Sequence, residues 1–386
     1  MRKTLKTEKI PIKLWLDDIE PGALEQAKNL ANLPFAFHHI AIMPDAHQGY
    51  GMPIGGILAA KGMVIPNAVG VDIGCGMCAA RTDLKNIELE KLKEILGEIR
   101  KTIPVGFEHH KSKQGLRAMP GAAGDLPVVR SQFENARRQV GTLGGGNHFV
   151  EIQKGSDGYI WLMVDSGSRN VGKRVADYYN KLAKKLKKKF KSAIPDNWQL
   201  DFLPADSEEG KLYLAEMQYC VDFALANRKL MMENISRIFE KKGIRVDLKS
   251  AVNISHNYAS FETHFGEDVI VHRKGATQAK LGQWGIIPGS QGSFSYIVRG
   301  KGNPESFESC AHGAGRKMGR NEARRILSLE KEVRLLKEKG ILHAIRGHRD
   351  LDEAPSAYKD IDQVMEYQKD LVEIVVELQP LAVVKG

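Results

Sequence analysis

Apolar residues return along this chain in two different rhythms. In IELEKLKEILGEIRKTI, Leu89, Leu92, Leu96 and Ile99 recur every three or four residues between lysines and glutamates, a spacing that places all four on one face of a helix. NEARRILSLEKEVRLLKEKG repeats the pattern with Ile326, Leu329, Val333 and Leu336 and closes on Gly340, a helix-ending glycine. A third region, about 171–241, reads as helices around the polar, proline-bearing loop SAIPDNWQLDFLPADSEEG. The other rhythm is a short continuous apolar run, as in YIWLMVD (Tyr159–Asp165) and DVIVHRKG (Asp268–Gly275), which predicts buried strands. Glycine clusters punctuate the runs: GYGMPIGGI, VGVDIGCG, GTLGGGNH, SGSRNVG, IIPGSQGS and HGAGRKMG. They predict strand-to-loop turns that converge on one site, where the missing Cβ lets backbone amides approach a phosphate or a metal-bound ligand. Such turns lie on both sides of the helical region. The chain is therefore expected to be one mixed α/β domain over 1–386, central β-sheets flanked by helices, with a helical insertion at about 171–241 and the site at the sheet rim. GTLGGGNH lacks the glycine spacing of a dinucleotide fingerprint.

Composition narrows the possible functions. The chain has 386 residues, 42% of them hydrophobic, enough for a sizeable core. Its basic start has no apolar signal-peptide segment and no run is long enough to span a bilayer, so a cytoplasmic address and no membrane partner are expected. Four cysteines (Cys75, Cys78, Cys220, Cys310) are too few and too scattered for a disulfide framework, which fits a reducing compartment. A formal charge of +10 favours polyanionic partners. Much of the excess lies in KLAKKLKKKFKS (Lys181–Ser192), where Leu182, Leu186 and Phe190 form one stripe. A solvated helix explains that segment more simply than a dedicated RNA-binding face.

Candidate chemistry sits in the glycine turns. Asp45, His47, Asp72, Cys75, Asn147, His148, Asp165, His256, Asn257, His272 and His312 all fall there, and a thiolate with carboxylates and imidazoles suits a divalent ion such as manganese, zinc, cobalt or iron. Cys75 and Cys78 are spaced as a CxxC, yet neither a thioredoxin-like context nor a second metal-binding pair accompanies them. Asp72 with Cys75 is the working pair, and Cys78 a buried bystander. In CAHGAGRKMGR, His312 precedes exposed backbone amides and two arginines, Arg316 and Arg320, whose four-residue spacing predicts one helix face suited to phosphate oxygens. A nucleophilic or general-base histidine at a phosphoryl group and a structural capping histidine both fit that segment.

MPDAHQGYGMPIGG, VGVDIGCGM, GGGNHFVEIQ, SGSRNVG, NISHNYA, HRKGAT, IIPGSQGSFSYIV, HGAGR and VVKG follow one another in the order seen in RtcB-type RNA ligases, and the chain resembles that family from about Ile40 to Gly386. The resemblance implies the family's own fold and a GTP- and manganese-dependent enzyme. Such an enzyme joins RNA ending in a 2′,3′-cyclic phosphate or 3′-phosphate to RNA beginning with a 5′-hydroxyl. It further implies that His312 is the nucleophile that accepts GMP. Cys75 would bridge two Mn²⁺ ions, with His148 and residue 165 on one and Asp72 and His256 on the other. Asn147, Glu151, Asn257, Ser290, Ala314, Gly315, Tyr358 and Lys385 would contact GTP or GMP. Arg169, Arg316 and Arg320 would contact RNA phosphates. The implied partners are RNA (tRNA halves or damaged RNA) and GTP, acting on a monomer, with room for an activating or RNA-repair protein.

One position departs from the pattern. Where the family carries histidine before SGSR, this chain has Asp165, shorter, harder and negatively charged, which implies a different metal balance and weaker GTP binding. Three outcomes follow at this position: a working ligase with an altered metal site, an attenuated or specialised RNA-repair paralogue, or a chain altered at this residue. Beside the ligase stand two other readings, a metal-dependent RNA-end-processing enzyme and an RNA-binding subunit of a repair complex.

Overall fold

Two large sheets and two two-stranded pairs carry the chain, and the computed structural model describes all 386 residues. The first has six strands in the order Lys3–Leu5, Ile12–Leu14, Ala36–His47, Ile54–Ala60, Glu267–Lys274, Asn257–His264. Only its Ile12–Leu14 and Ala36–His47 pair runs parallel. The second has seven strands, Val252–Ser255, Gly76–Arg81, Ile160–Ser166, Phe149–Gly155, Val372–Lys385, Ser295–Gly300 and Trp284–Ile287, with every neighbour antiparallel. Helices flank both, so the expected mixed α/β architecture is the one observed. No helix is long and apolar enough to cross a membrane.

The apolar rhythms locate the elements well and their ends less well. YIWLMVD and DVIVHRKG form the strands Ile160–Ser166 and Glu267–Lys274. In the helix Leu89–Thr102, Leu92, Ile95, Leu96 and Ile99 are buried, whereas Leu89 opens the first turn and is half exposed, contrary to its predicted place on the buried face. The single helix predicted for NEARRILSLEKEVRLLKEKG is two, Arg320–Ile326 and Leu329–Glu338. Leu327 is extended between them, and the Ser328 hydroxyl accepts from the Lys331 amide as an N-cap, a role that competes with a helix-interior one. Ile326 is exposed in consequence. Within 171–241 lie most of the helix Arg169–Leu186 and the 33-residue helix Glu208–Glu240. Leu182, Leu186 and Phe190 pack as a stripe against the core, as their spacing predicted.

Strand register brings one edge of the second sheet together. Ser255 pairs with Gly76, Gly76 with Ser166, and Asp165 with Phe149. Because these four neighbours alternate in direction, His256, Cys75, Asp165 and His148 all emerge at the same edge. Lys385 joins them, since Val372–Lys385 pairs with Phe149–Gly155 and sets Lys385 opposite Phe149. His256 is also where the chain leaves Val252–Ser255 and enters the first-sheet strand Asn257–His264, so the edge is a seam between the sheets. Gly76 is required there: a Cβ would lie 1.9 Å from the Ile254 carbonyl oxygen.

The long helix clamps this edge from behind with two adjacent, fully buried residues. Asn227 accepts from the Gly141 and Thr142 amides (2.7 and 3.1 Å) and donates to Ser166 Oγ and the Gly167 carbonyl (3.0 and 3.1 Å). Arg228 donates to Asn253 Oδ1 (2.8 Å), the Gly74 and Ser166 carbonyls (2.9 and 2.8 Å) and Ser255 Oγ (3.2 Å). Both reach the loops that carry Cys75, His148, Asp165 and His256. Truncating the guanidinium strands buried carbonyls, so Arg228→Met is expected to lower the unfolding free energy by about 3–5 kcal/mol in urea denaturation. A loss below about 1 kcal/mol would show that the loops hold themselves.

Candidate active site

Asp72, Cys75 and His148 form the tightest polar cluster, their ligand atoms within 4.8 Å of one another. His148 Nε2 lies 3.0 Å from Asp72 Oδ2 and 3.4 Å from Cys75 Sγ, and Sγ lies 3.6 Å from Asp165 Oδ1. His148 Nδ1 donates to the Leu143 carbonyl at 3.0 Å, which turns Nε2 toward the cluster, the usual outer support of a metal-ligating imidazole. His256 borders the same thiol through its backbone amide, which donates to the Cys75 carbonyl at 2.8 Å. Borderline-soft and hard donors on three neighbouring loops fit a divalent ion. Cys78 points into the apolar core, its thiol pushed up to about 12 by burial.

Burial and neighbouring charges set the proton affinities in the cluster. Burial, reinforced by the Asp72 and Asp165 charges, raises the Cys75 thiol well above its ordinary range. Burial also raises Asp165, with Asp72 adding to it. Asp72 is held low: burial opposes its charge, but the His148 hydrogen bond and the His148 and Arg169 charges outweigh that. His148 is raised in turn, Asp72 prevailing over desolvation.

Against this cluster opens a cavity of about 250 Å³ with His312 in its wall. His312 Nδ1 donates to Asp45 Oδ2 at 2.6 Å, and the same oxygen accepts the His312 amide at 3.1 Å. Asp45 is fully buried. It raises the His312 pKa against desolvation and fixes the ring so that Nε2 is the free nitrogen. The His256 ring stands edge-on at 4.7 Å and is held neutral by burial and by the His312 charge. A glycine is needed beside this pair at 315, where φ is +72° and a Cβ would lie 2.1 Å from the Asp45 carbonyl oxygen.

The far wall is organised by Glu353. Its buried carboxylate accepts from Lys385 Nζ (2.5 Å), the Tyr358 hydroxyl (2.6 Å) and Arg316 Nη1 (3.3 Å). Burial works against this carboxylate, yet Lys385 holds it below the usual range. Glu151, in the same cavity, is pushed up to about 8 by burial and accepts from Gln153 Nε2 at 2.6 Å.

Of the predicted residues, Asn147, Glu151, Asp165, His256, Ser290, His312, Ala314, Gly315, Arg316, Arg320, Tyr358 and Lys385 line the cavity. Asp72, Cys75 and His148 form the cluster beside it. Arg169 is packed behind His148, 3.4 Å from Nδ1, and Asn257 is spent on backbone, donating to the Asp72 carbonyl and accepting from the Gly275 amide. His272 is a core residue whose Nε2 accepts from the Ile65 amide. Arg316 and Arg320 do not share a helix face. The helix begins at Arg320, while Arg316 lies in an extended bridge to Tyr358, because residues 315–317 pair with 357–359 and take their hydrogen bonds there. Asp45, a candidate metal ligand by sequence, instead orients His312, and Glu353 has almost no signal in the sequence. The run of acids in RDLDEAPSAYKD, five residues ahead of Tyr358, was its only trace.

A family model described as tRNA-splicing ligase RtcB matches residues 26–386. The RNA-splicing ligase RtcB of Escherichia coli (strain K12) is 39% identical over 99% of both chains. The tRNA-splicing ligases RtcB of Nanoarchaeum equitans and Thermococcus kodakarensis are 32% and 31% identical, over 98% and 99% of this chain and 95% and 96% of their own. The chain belongs to the RtcB family.

An ion on Cys75 Sγ needs the thiolate, and the thiol's raised pKa means that loading must expel a proton. Apparent affinity for a probe ion such as Co²⁺ should therefore rise up to about tenfold per pH unit near neutrality. Calorimetry in buffers of different ionisation enthalpy reads the released proton. A pH-independent affinity with no proton release would place the ion away from Cys75.

Proposed function

We propose that this member of the RtcB family is an RNA ligase that uses GTP to join a 3′-phosphate or 2′,3′-cyclic phosphate end to a 5′-hydroxyl end. The carrying observation is His312: its Nδ1 is tied to buried Asp45 and it stands in a cavity wall beside the Asp72–Cys75–His148 cluster. In the proposed sequence His312 Nε2 attacks the α-phosphorus of GTP and pyrophosphate leaves. The GMP then passes to an oxygen of the RNA 3′-phosphate, freeing the histidine. Finally the 5′-hydroxyl attacks that phosphorus, GMP departs, and a phosphodiester remains. A cyclic phosphate is first opened by water. Asp45 stabilises the positive imidazole that forms when the ring becomes phosphorylated.

Asp72, Cys75, His148, Asp165 and His256 are the residues that would hold two Mn²⁺ ions, which would supply charge neutralisation at the phosphates. Asn147 would contact the GMP phosphate, Glu151 and Tyr358 the guanine and Lys385 the base or ribose, with Ser290, Ala314 and Gly315 also at the nucleotide. Asn257 would support that site through the Asp72 carbonyl and the Gly275 amide. Arg316 and Arg320 at the cavity, and Arg169 behind it, would meet RNA phosphates.

Asp165 supports a second reading. A buried carboxyl beside a buried thiol concentrates negative charge on that ligand set, which would retain metal-assisted opening of the cyclic phosphate while weakening guanylylation. Incubation with GTP and Mn²⁺ is expected to give a covalent GMP adduct that His312→Ala abolishes, seen as a mass increase of the intact chain. Cyclic-phosphate opening with no adduct would select the second reading, and a gain of adduct in Asp165→His would identify that residue as the cause. The same assay tests Asp45. Because Asp45 raises the His312 pKa, and the nucleophile must be neutral, the adduct rate should rise with pH through that value. Asp45→Asn should shift this acid limb to lower pH and cut the plateau rate about tenfold or more. An unmoved limb would remove Asp45 from the role.

A further inference from the structure

The helix Arg169–Leu186 starts directly after the Asp165 loop and carries a large share of the basic excess, mostly on its exposed side. Its charges are not equivalent. Lys173 is paired with Asp177 (2.5 Å), and beyond the helix Lys187 is paired with Asp196 and Lys189 with Glu209 (2.7 Å). Arg174, Lys181 and Lys185 have no carboxylate partner. With Tyr178 they occupy positions i, i+7, i+11 and i+4, which a helix places in one stripe.

Arg174, Tyr178 and Lys181 of that stripe form one wall of an open groove of about 480 Å³, and Lys185 continues their line one turn beyond it; the other wall is the first turns of the helix Pro127–Gln139, with Pro127, Val128, Ser131 and Gln132. Tyr178 is 48% exposed, an unusual setting for a ring this size. It is held in place nonetheless, edge-on to buried Tyr179 at a centroid distance of 5.0 Å. Asp177 is the only acidic residue lining the groove, and Lys173 neutralises it. A fixed aromatic face with an unpaired cation one turn to either side, opposite a neutral wall of Pro127, Val128, Ser131 and Gln132, matches a nucleobase flanked by its two phosphates. Tyr178 lies about 13 Å along the helix axis from Arg169, so the groove is separate from the cavity that holds His312.

We propose that this groove is a binding site for single-stranded RNA outside the reaction centre, with phosphates on Arg174, Lys181 and Lys185 and one base stacked on Tyr178. The occupant's identity rests on the ligase reading above, and the site would grip the body of a strand whose end reacts at His312.

The test uses the intact chain and a fluorescein-labelled, unstructured RNA of about 15 nucleotides, with anisotropy measured across a salt series. Tyr178→Ala should weaken binding about tenfold without altering the salt slope, and Tyr178→Phe should bind as the unaltered chain does. The triple variant R174Q/K181Q/K185Q should weaken binding and reduce the slope of log K against log salt by about 2. Unchanged affinity in Tyr178→Ala together with an unchanged slope in the triple variant would overturn the proposal. So would an equal loss in Tyr178→Ala on a duplex of the same length, which offers no free base to stack. GMP-adduct formation without RNA should be the same in every variant. If the unaltered chain forms no adduct, the ligase reading fails while the RNA comparison still decides the groove.

Discussion

The arrangement depends on burying the Arg228 guanidinium and the Asn227 amide behind the site. Asn227 and Arg228 have no exposed surface, and a buried polar group without partners costs more than a hydrogen bond returns. Their donors can be met only if the Gly74, Ser166 and Gly167 carbonyls and the Ser255 and Asn253 side chains converge on one point. The loops are thereby held in a single arrangement, and the side chains they present follow. The same guanidinium offsets part of the cost of crowding Asp72, Cys75 and Asp165, since its charge lowers the Cys75 thiol's resistance to ionisation. Scaffold and electrostatic counterweight are one residue.

Environment, more than residue type, sets what each ionisable group can do here. Glu151 and Glu353 share a cavity, yet the first is raised by burial and the second is held low by Lys385. Their histidine neighbours divide likewise. His148 and His312 each face an aspartate and are raised, whereas His256 has none and stays neutral. Opposed shifts among like groups are the usual mark of a site built for acid–base and nucleophilic work.

Much of this was legible from residues alone, and what was not has physical reasons. Asp72, Cys75, His148, Asp165, His256 and His312 stood out because each sits in a glycine turn, and glycine marks places where backbones approach closely. Asn227 and Arg228 lie mid-helix in a sequence that reads as ordinary surface alternation, and only tertiary packing reveals them as buried. Glu353 belongs to a stretch with neither strand periodicity nor glycine, so nothing local announced its partners. The helix broken at Ser328 and the extended Arg316 have a common cause: local hydrogen-bond competition, from a capping hydroxyl in one case and from the 357–359 segment in the other, overrode a helical spacing. Register, which aligned five strand ends, is a nonlocal property that no window of sequence contains.

The strand Val372–Lys385 lies between Phe149–Gly155 and Ser295–Gly300 in the second sheet, although it follows both in the chain. The two halves of the sheet therefore meet only through this strand, whose pairing with both neighbours is a nonlocal closure. Lys385, and with it the bond that sets Glu353, lies on that joining strand. The wall that faces His312 is thus tied to the same pairing that makes one sheet of two halves.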